Sequence, residues 1–212
     1  MNRGIFITVG ACLGFMSLIM ALFLSRFYTP RELTLDEYKT LGAYFIDPPR
    51  QLAEFKLIDD TSKIFLPEEF AGKWNILFFG FTYCPDVCPT DVQRLSQGLM
   101  EFERDAPNLG RKITPIFISI DPERDTPEIM GEFISNFHPR LVGLTGSTEA
   151  IAEAAQNFAI YYARGQETPA GGYLVDHSAV VYLFDPQGRP LATLPTDKGS
   201  SAVASELEKW VS

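Results

Sequence analysis

The sequence predicts an α/β domain whose mostly parallel sheet is covered by helices on both sides. Short apolar segments typical of strands alternate along the chain with longer segments in which apolar residues recur every three to four positions. One segment, residues 114–120, is a continuous apolar run, as expected for a strand covered on both faces. Strands that alternate with helices in this way pair mainly in parallel.

The chain begins with a predicted membrane anchor over residues 1–27. Residues 5–24 carry no charge, and 20 helical residues span about 30 Å, the thickness of a bilayer core. A signal sequence is the alternative, but the small-x-small pattern of a cleavage site is absent, so we expect an uncleaved anchor. The start also lacks the Arg-rich and Ser-rich pattern of a mitochondrial transit peptide, which favours a bacterial inner membrane. Residues 28–50 are predicted as a linker to a domain over residues 51–212.

The first half of this domain is predicted to contain a hairpin, two strands and one helix. Residues 54–58 and 63–66 form the hairpin around a polar turn, and the apolar residues 76–81 form the next strand. After Pro89, a stripe of apolar residues at helical spacing predicts a helix, and the strand 114–120 follows. The residues of the stripe are Val92, Leu95, Leu99 and Phe102.

The second half contains three further predicted helices and four strands. Thr126 and Ser147 are N-cap residues that start two of the helices, and Pro127 occupies the first helical position after Thr126. The last helix begins at about Ser200. The strands are predicted over residues 141–144, 173–175, 178–184 and 191–194.

Composition excludes several classes of protein. The formal net charge is −9, and Arg3, Arg26 and Arg31 all precede the first acidic residue, Glu32, so the rest of the chain carries −12. This balance argues against binding of nucleic acid through its phosphates. The arginines flank both ends of the predicted anchor and therefore do not decide its orientation. Three cysteines are too few for a disulfide scaffold.

Two cysteines lie in the segment FFGFTYCPDVCPTD, which follows an apolar strand. Cys84 and Cys88 are four positions apart, and a proline follows each. On the first turn of a helix they would share a face, with Cβ atoms about 5 to 6 Å apart. Pro89 suits the first helical position, which would put Cys88 near the N-cap, where the helix dipole favours thiolate. Such a pair can close a disulfide, bind a soft metal ion or alternate between the two, and a structural disulfide is the simplest alternative.

The chain has only two histidines, so few imidazole ligands are available. His177 follows Asp176 at the start of an apolar segment, where it is either a ligand or an ordinary hydrogen-bonded surface residue. His138 lies at the end of a predicted helix, a position that the helix dipole favours, and is given no role in a site.

Acidic residues near the predicted strand ends are candidates for supporting roles. Asp121 and Asp125 follow the strand 114–120, where open α/β sheets place functional loops, although ordinary turns also contain such residues. We expect them to orient the histidine or attract a cation. Asp86, between the cysteines, and Asp176 are expected near the sulfurs or a partner, and Tyr83 is expected to line the site.

Three motifs together, FFGFTYCPDVCPTD, DPERDTP and YLVDHS, resemble the Sco/SenC family of membrane-anchored copper proteins that assist cytochrome c oxidase assembly. The resemblance covers roughly residues 52–211. It implies a thioredoxin-like, three-layer fold, with copper bound by Cys84, Cys88 and His177. It also implies that the domain faces the periplasm while the N-terminus is cytoplasmic. Compared with thioredoxins, three residues instead of two separate the cysteines, and His177 stands within two residues of the usual cis-proline.

The leading hypothesis is therefore a copper metallochaperone rather than an enzyme. It would bind one copper per domain, as Cu(I), Cu(II) or both, since thiolates select Cu(I) and imidazole suits either state. Its expected partners are cytochrome c oxidase subunit II, which receives copper at its binuclear site, another periplasmic copper chaperone and a thioredoxin-like reductant. The alternatives are a thiol-disulfide reductase that cycles Cys84 and Cys88, a copper or redox sensor, and a zinc site.

Overall fold

The computed structural model describes residues 56–167 and 172–211. The predicted anchor, the predicted linker and residues 51–55 lie outside this part of the chain. None of the helices among the described residues combines the length and the apolar character needed to cross a membrane.

Nine strands and five helices are present in the described residues. The strands are β1 (Leu57–Asp59), β2 (Ile64–Phe65), β3 (Trp74–Gly80), β4 (Ile113–Ser119), β5 (Val142–Thr145), β6 (Tyr162–Glu167), β7 (Tyr173–His177), β8 (Val181–Phe184) and β9 (Pro190–Thr193). The helices are α1 (Val87–Asp105), α2 (Pro107–Gly110), α3 (Pro127–Ile134), α4 (Thr148–Asn157) and α5 (Ser200–Trp210). Short 3₁₀ helices cover Pro67–Phe70 and Thr196–Lys198.

The central sheet is mixed, so the prediction of a mostly parallel sheet is wrong. Its seven strands have the order β2-β1-β5-β4-β3-β8-β9. Only the β3–β4 and β4–β5 pairs are parallel, and the other pairs are antiparallel. The connections account for four of the six pairs: α1 and α3 give the crossovers of the two parallel pairs, whereas the short turns after β1 and β8 join antiparallel neighbours.

Strands β6 and β7 form a separate antiparallel hairpin, in which Tyr162 pairs with His177. The sequence did not predict β6. Its residues, YARGQE, are polar and mostly exposed or half-buried, so they lack the apolar alternation that indicates a strand. The strand exists because its backbone pairs with β7.

Helices cover both faces of the central sheet, as predicted. On one face, the rings of Phe78 and Phe117 are 5.7 Å apart, and Phe117 contacts Phe133 of α3 at 5.1 Å. On the other face, Phe79 contacts Phe158, the residue after α4, at 5.5 Å. All seven residues of β3 are buried, which places this strand at the centre of the core.

The parallel strands β3 and β4 end at the same edge of the sheet. Gly80 is paired with Ser119, and the backbone N–H of Ile120 donates to the carbonyl of Gly80 at 2.9 Å. The loop with the two cysteines and the loop with Asp121 and Asp125 therefore leave the sheet side by side.

Candidate metal centre

The cysteine loop connects the buried end of β3 to the start of α1. Phe81 stays in the core, Tyr83 is exposed, and Cys84 is half-buried at the rim of the loop. The backbone N–H of Cys84 donates to the carbonyl of Phe81 at 3.2 Å, which closes a tight turn. Cys88 follows in the first turn of α1 and is completely buried. The two thiols therefore differ strongly in their access to solvent.

Helix α1 begins earlier than the sequence predicted. Its N-cap is Asp86 and its first residue is Val87, so Cys88 is the second helical residue and Pro89 the third. Proline is still tolerated there, because the first N–H groups of a helix have no intrahelical acceptor. Cys84 precedes the helix instead of sharing its first turn, and its sulfur lies 3.4 Å from the backbone nitrogen of Cys88. The Cys84 sulfur thus accepts one of the otherwise unpaired N–H groups of α1.

Burial reverses the expected effect of the helix on the Cys88 thiol. The pKa of Cys88 is raised well above its ordinary value, mainly because burial disfavours the thiolate. Charges on Cys84 and Asp91 add to the increase. The prediction that thiolate is favoured at Cys88 is therefore wrong for the metal-free thiol, because burial is the largest effect on its pKa.

His177 lies at the end of β7 with its ring over the cysteine loop. Its Nε2 is 3.4 Å from the sulfur of Cys88, and its Nδ1 is 3.1 Å from the carbonyl oxygen of Ser178. A carbonyl can only accept, so Nδ1 carries the proton and the lone pair of Nε2 faces the sulfur. The rings of Phe78 and Phe81 meet the imidazole edge-on at 6.4 and 6.0 Å. Burial lowers the pKa of His177, which favours the neutral form that binds metals.

The backbone of Gly80 makes room for the Cys88 sulfur. A Cβ atom at this position would lie 3.1 Å from that sulfur and 2.9 Å from a ring carbon of Phe117. Only glycine lets the strand pass this close to the thiol and the ring.

A recess of about 320 Å³ opens beside these groups. Cys84 and His177 line it, together with the exposed residues Asp86 and Asp176. Among residues 56–167 and 172–211, no three His, Cys, Asp or Glu side chains stand close enough together to hold a metal ion. The structure thus brings Cys88 and His177 into contact and places Cys84 beside them, with its sulfur turned towards the helix N-terminus.

The predicted supporting residues lie near the site but do not touch the histidine ring at Nδ1. Asp121 accepts from Arg124 at 2.5 Å and from the Tyr173 hydroxyl at 2.6 Å. Asp86 is the N-cap residue of α1, but its side chain makes no capping hydrogen bond. The carbonyl of Ser178, and not an aspartate, is the group that orients His177.

Asp125 supports the cysteine loop instead. Its carboxylate is fully buried and accepts from the Thr82 hydroxyl at 2.6 Å, the Thr82 backbone N–H at 3.1 Å and the Ser119 hydroxyl at 2.6 Å. Burial raises its pKa, and these hydrogen bonds partly offset the increase. Asp125 therefore ties the loop after β3 to the end of β4.

Sequence reasoning missed two residues at the site, Arg124 and Tyr173. The guanidinium of Arg124 lies 3.7 Å from the centre of the Tyr173 ring and 4.9 Å from that of Tyr83. Both residues fall inside motifs that were recognised, DPERDTP and YLVDHS. The available signal was the alternation of β7, which puts Tyr173 and His177 on the same face of the strand.

Comparisons with known proteins agree with the fold and the motifs. The family model described as SCO1/SenC matches residues 46–212. The curated "Protein SCO2 homolog, mitochondrial" of Bos taurus is 40% identical over 153 residues, which cover 72% of this chain and 55% of the relative. The "Protein SCO1 homolog 1, mitochondrial" of Arabidopsis thaliana is 44% identical over 133 residues, 63% of this chain and 39% of the relative. The chain thus spans about half the length of the curated relatives it matches.

Solved structures give the same result. Arabidopsis thaliana ScoI, crystallised with copper bound, is 37% identical with a TM-score of 0.69, and the match covers 75% of this chain and 96% of that one. Bradyrhizobium japonicum ScoI, also with copper bound, is 35% identical with a TM-score of 0.67, covering 75% and 98%. The α/β, thioredoxin-like fold is therefore confirmed, with a mixed sheet. The chain belongs to the SCO1/SenC family.

Proposed function

We propose that this protein binds one copper ion through Cys84, Cys88 and His177 and delivers it to the binuclear copper site of cytochrome c oxidase subunit II. The observation that supports this most directly is the 3.4 Å contact between the Cys88 sulfur and Nε2 of His177. A cysteine sulfur that becomes a soft thiolate when it binds a metal, beside an unprotonated imidazole nitrogen, is a donor pair that suits copper. The similarity to ScoI proteins crystallised with copper supports the same metal.

Cys84 supplies the third ligand in this proposal. Its sulfur already lies at the N-terminus of α1, 3.4 Å from the Cys88 backbone nitrogen, and a rotation of its side chain would turn it towards the other two donors. Copper binding would also offset the energetic cost of ionising the buried Cys88 thiol, because a bound cation favours the thiolate. Loading with copper should therefore release protons.

Delivery requires an ion that a partner can reach. Cys84 is half-buried at the rim of the recess, so a partner's thiols can approach the metal from that side while Cys88 and His177 hold it from beneath. We propose that residues 1–27 anchor the protein in a bacterial inner membrane, with the domain in the periplasm. There another copper chaperone would load it, and a thioredoxin-like reductant would keep its cysteines reduced.

Metal analysis of the full chain tests the proposal. The reduced protein is expected to bind one Cu(I), and Cys84→Ala, Cys88→Ala and His177→Ala should each lose tight binding. The chain offers a matched control for each residue type, because Cys12→Ala and His138→Gln remove a thiol and an imidazole outside the trio. Full copper affinity in His177→Ala would show that the histidine is not a copper ligand. A preference for zinc over Cu(I) in a competition assay would contradict the assignment of copper as the metal.

A second function, thiol-disulfide reduction, is favoured by the unequal burial of the two free thiols. Cys84 is accessible enough to attack a disulfide of the oxidase, and buried Cys88 can then resolve the mixed disulfide. In this reaction the protein's two thiols form a disulfide and give two electrons and two protons to the partner's disulfide. The His177→Ala variant separates the two functions, because a reductase should tolerate the change and a copper carrier should not.

A further inference from the structure

Arg124 connects the two segments that carry the candidate ligands. Its guanidinium stacks on Tyr173 of the β6–β7 hairpin at 3.7 Å and lies 4.9 Å from the ring centre of Tyr83, the residue before Cys84. The ring of Phe81, in the same loop, is 5.8 Å away. All three distances fall within the range of cation–π attraction. One side chain therefore contacts both the cysteine loop and the strand that ends at His177.

Tyr173 and His177 lie at the two ends of β7 and on the same face of the strand, so the position of one affects the position of the other. Successive side chains of a strand point to opposite faces, so Tyr173, Val175 and His177 face the body of the domain. Val175 is accordingly buried, whereas Leu174 and Asp176 on the other face are exposed. A contact that fixes Tyr173 thus fixes one end of the strand whose other end carries the imidazole.

Asp121 and Arg164 complete this arrangement. The carboxylate of Asp121, only 4% exposed, accepts from both Arg124 and the Tyr173 hydroxyl. The guanidinium of Arg164 covers the opposite face of the Tyr173 ring at 3.7 Å and pairs with Glu123 at 3.2 Å. Tyr173 is therefore held between two cations, with its hydroxyl bonded to a buried acid.

The hairpin is attached through side chains at both ends of β7, Tyr173 at one end and His177 at the other. Among the described residues, β6 and β7 pair with each other and not with a strand of the central sheet. A cavity of about 130 Å³ lies between the hairpin and the loop after β4, and its lining includes Ile120, Tyr162 and Val175. The contacts of Arg124 and Asp121 with Tyr173 therefore hold the start of β7, while Phe78 and Phe81 contact His177 at its end.

We propose that Arg124, Tyr173 and Asp121 form a positioning unit that sets the spacing between His177 and the two cysteines and so tightens copper binding. The copper part of this inference rests on the proposed function. The three residues act through the ligands, since their contacts are with the ligand-bearing segments and with each other. If the three residues position the ligands, their loss should weaken copper binding specifically. If they only support the fold, their loss should lower the global stability alone.

Two measurements on the full chain test this role, with Arg124→Ala as the main variant. Lys209→Ala is the matched control, because Lys209 makes a cation–π contact with Trp210 at 5.0 Å on α5, away from the site. Without metal, hydrogen exchange of the β7 amides should accelerate in Arg124→Ala and stay unchanged in the control. With copper, the Cu(I) affinity should fall about tenfold, the range seen when groups that orient a ligand are removed.

A double-mutant cycle separates positioning from general destabilisation. If Arg124 acts through the histidine, Arg124→Ala should have little further effect on Cu(I) affinity in a His177→Ala background. Arg124→Lys should recover only part of the wild-type affinity, because lysine keeps the charge but not the planar stack. An equal loss with and without His177 overturns the inference, and so does unchanged exchange of the β7 amides. Failure of the wild type to bind copper would instead overturn the proposed function, and the metal-free exchange result would still decide whether Arg124 holds the hairpin.

Discussion

The sulfur of Cys88 lies 3.4 Å from Nε2 of His177, although 89 positions separate the two residues in the chain. Cys88 is fixed by the start of α1 at the end of β3, and His177 by a hairpin that folds over the same edge of the sheet. The fold thus places a thiol and an imidazole together, next to a second thiol that is half-buried.

Gly80 is predicted to be essential for the shape of this centre. Gly80→Ala would press a Cβ atom against the Phe117 ring and the Cys88 sulfur, so we expect a loss of about 1–3 kcal/mol in the free energy of unfolding, as for other overpacked cores. Copper affinity should fall as well. Denaturant unfolding and Cu(I) titration measure the two effects.

Gly131→Ala is the matched control for this substitution. Gly131 lies inside α3, and an added Cβ would meet its nearest neighbour at an ordinary 3.7 Å. It should gain about 0.5–1 kcal/mol, because alanine favours the helix. Equal effects of the two substitutions would show that the close approach at Gly80 is unimportant.

Asp125 is predicted to stabilise the cysteine loop. Asp125→Ala leaves the Thr82 N–H and two hydroxyl groups without their acceptor, which should lower the free energy of unfolding by about 1–3 kcal/mol. The loop should also become more mobile, so Cys84 should react faster with a thiol reagent. Asp105→Ala, which removes an exposed ion pair with Arg104, is the control and should change neither property. An unchanged reaction rate in Asp125→Ala would argue against the loop-holding role.

His138 is predicted to make stability fall at mildly acidic pH. Burial lowers its pKa below the ordinary 6.5, while the carboxylate of Glu103 opposes the shift. The unfolded chain therefore binds a proton at a pH where the folded protein does not, and stability present above about pH 6.5 is lost as the pH falls through this region. His177 contributes in the same direction, because burial lowers its pKa too.

Unfolding free energies measured between pH 7 and 5 test this dependence. His138→Gln should reduce the slope of stability against pH. In His177→Gln, the part of the slope that is due to His138 should remain. A slope that His138→Gln does not alter would contradict the assignment. Asp91 and Asp125 do not produce the same trend, because their raised pKa values make the folded protein bind protons more readily as pH falls.

The regular elements could be predicted because their signals are local. The apolar run at residues 114–120 predicted β4 within one residue of each end, and Thr126 and Ser147 cap α3 and α4 through side-chain hydrogen bonds as expected. The polar strand β6 could not be predicted, since only its pairing with β7 makes it a strand. The sheet is mixed partly because the short turns after β1 and β8 join antiparallel neighbours.

The features of the site also divide into those that have a local signal in the sequence and those that depend on tertiary packing. The motifs predicted the two cysteines and the histidine as copper ligands, which stays a prediction, and the structure places Cys88 and His177 in contact. Burial of Cys88, which reverses the expected pKa shift, depends on tertiary packing and has no local signal. The same holds for the stack of Arg124 on Tyr173, which arises only when the loop after β4 and the hairpin come together.

X-ray absorption at the copper edge of the Cu(I)-loaded full chain tests the central claim most directly, because it reports the atoms bound to the metal. We predict two sulfur neighbours and one nitrogen neighbour in the wild type, loss of the nitrogen in His177→Ala and an unchanged spectrum in His138→Gln. A first shell that contains only sulfur, or one that keeps its nitrogen in His177→Ala, would contradict the proposal that Cys84, Cys88 and His177 hold the copper.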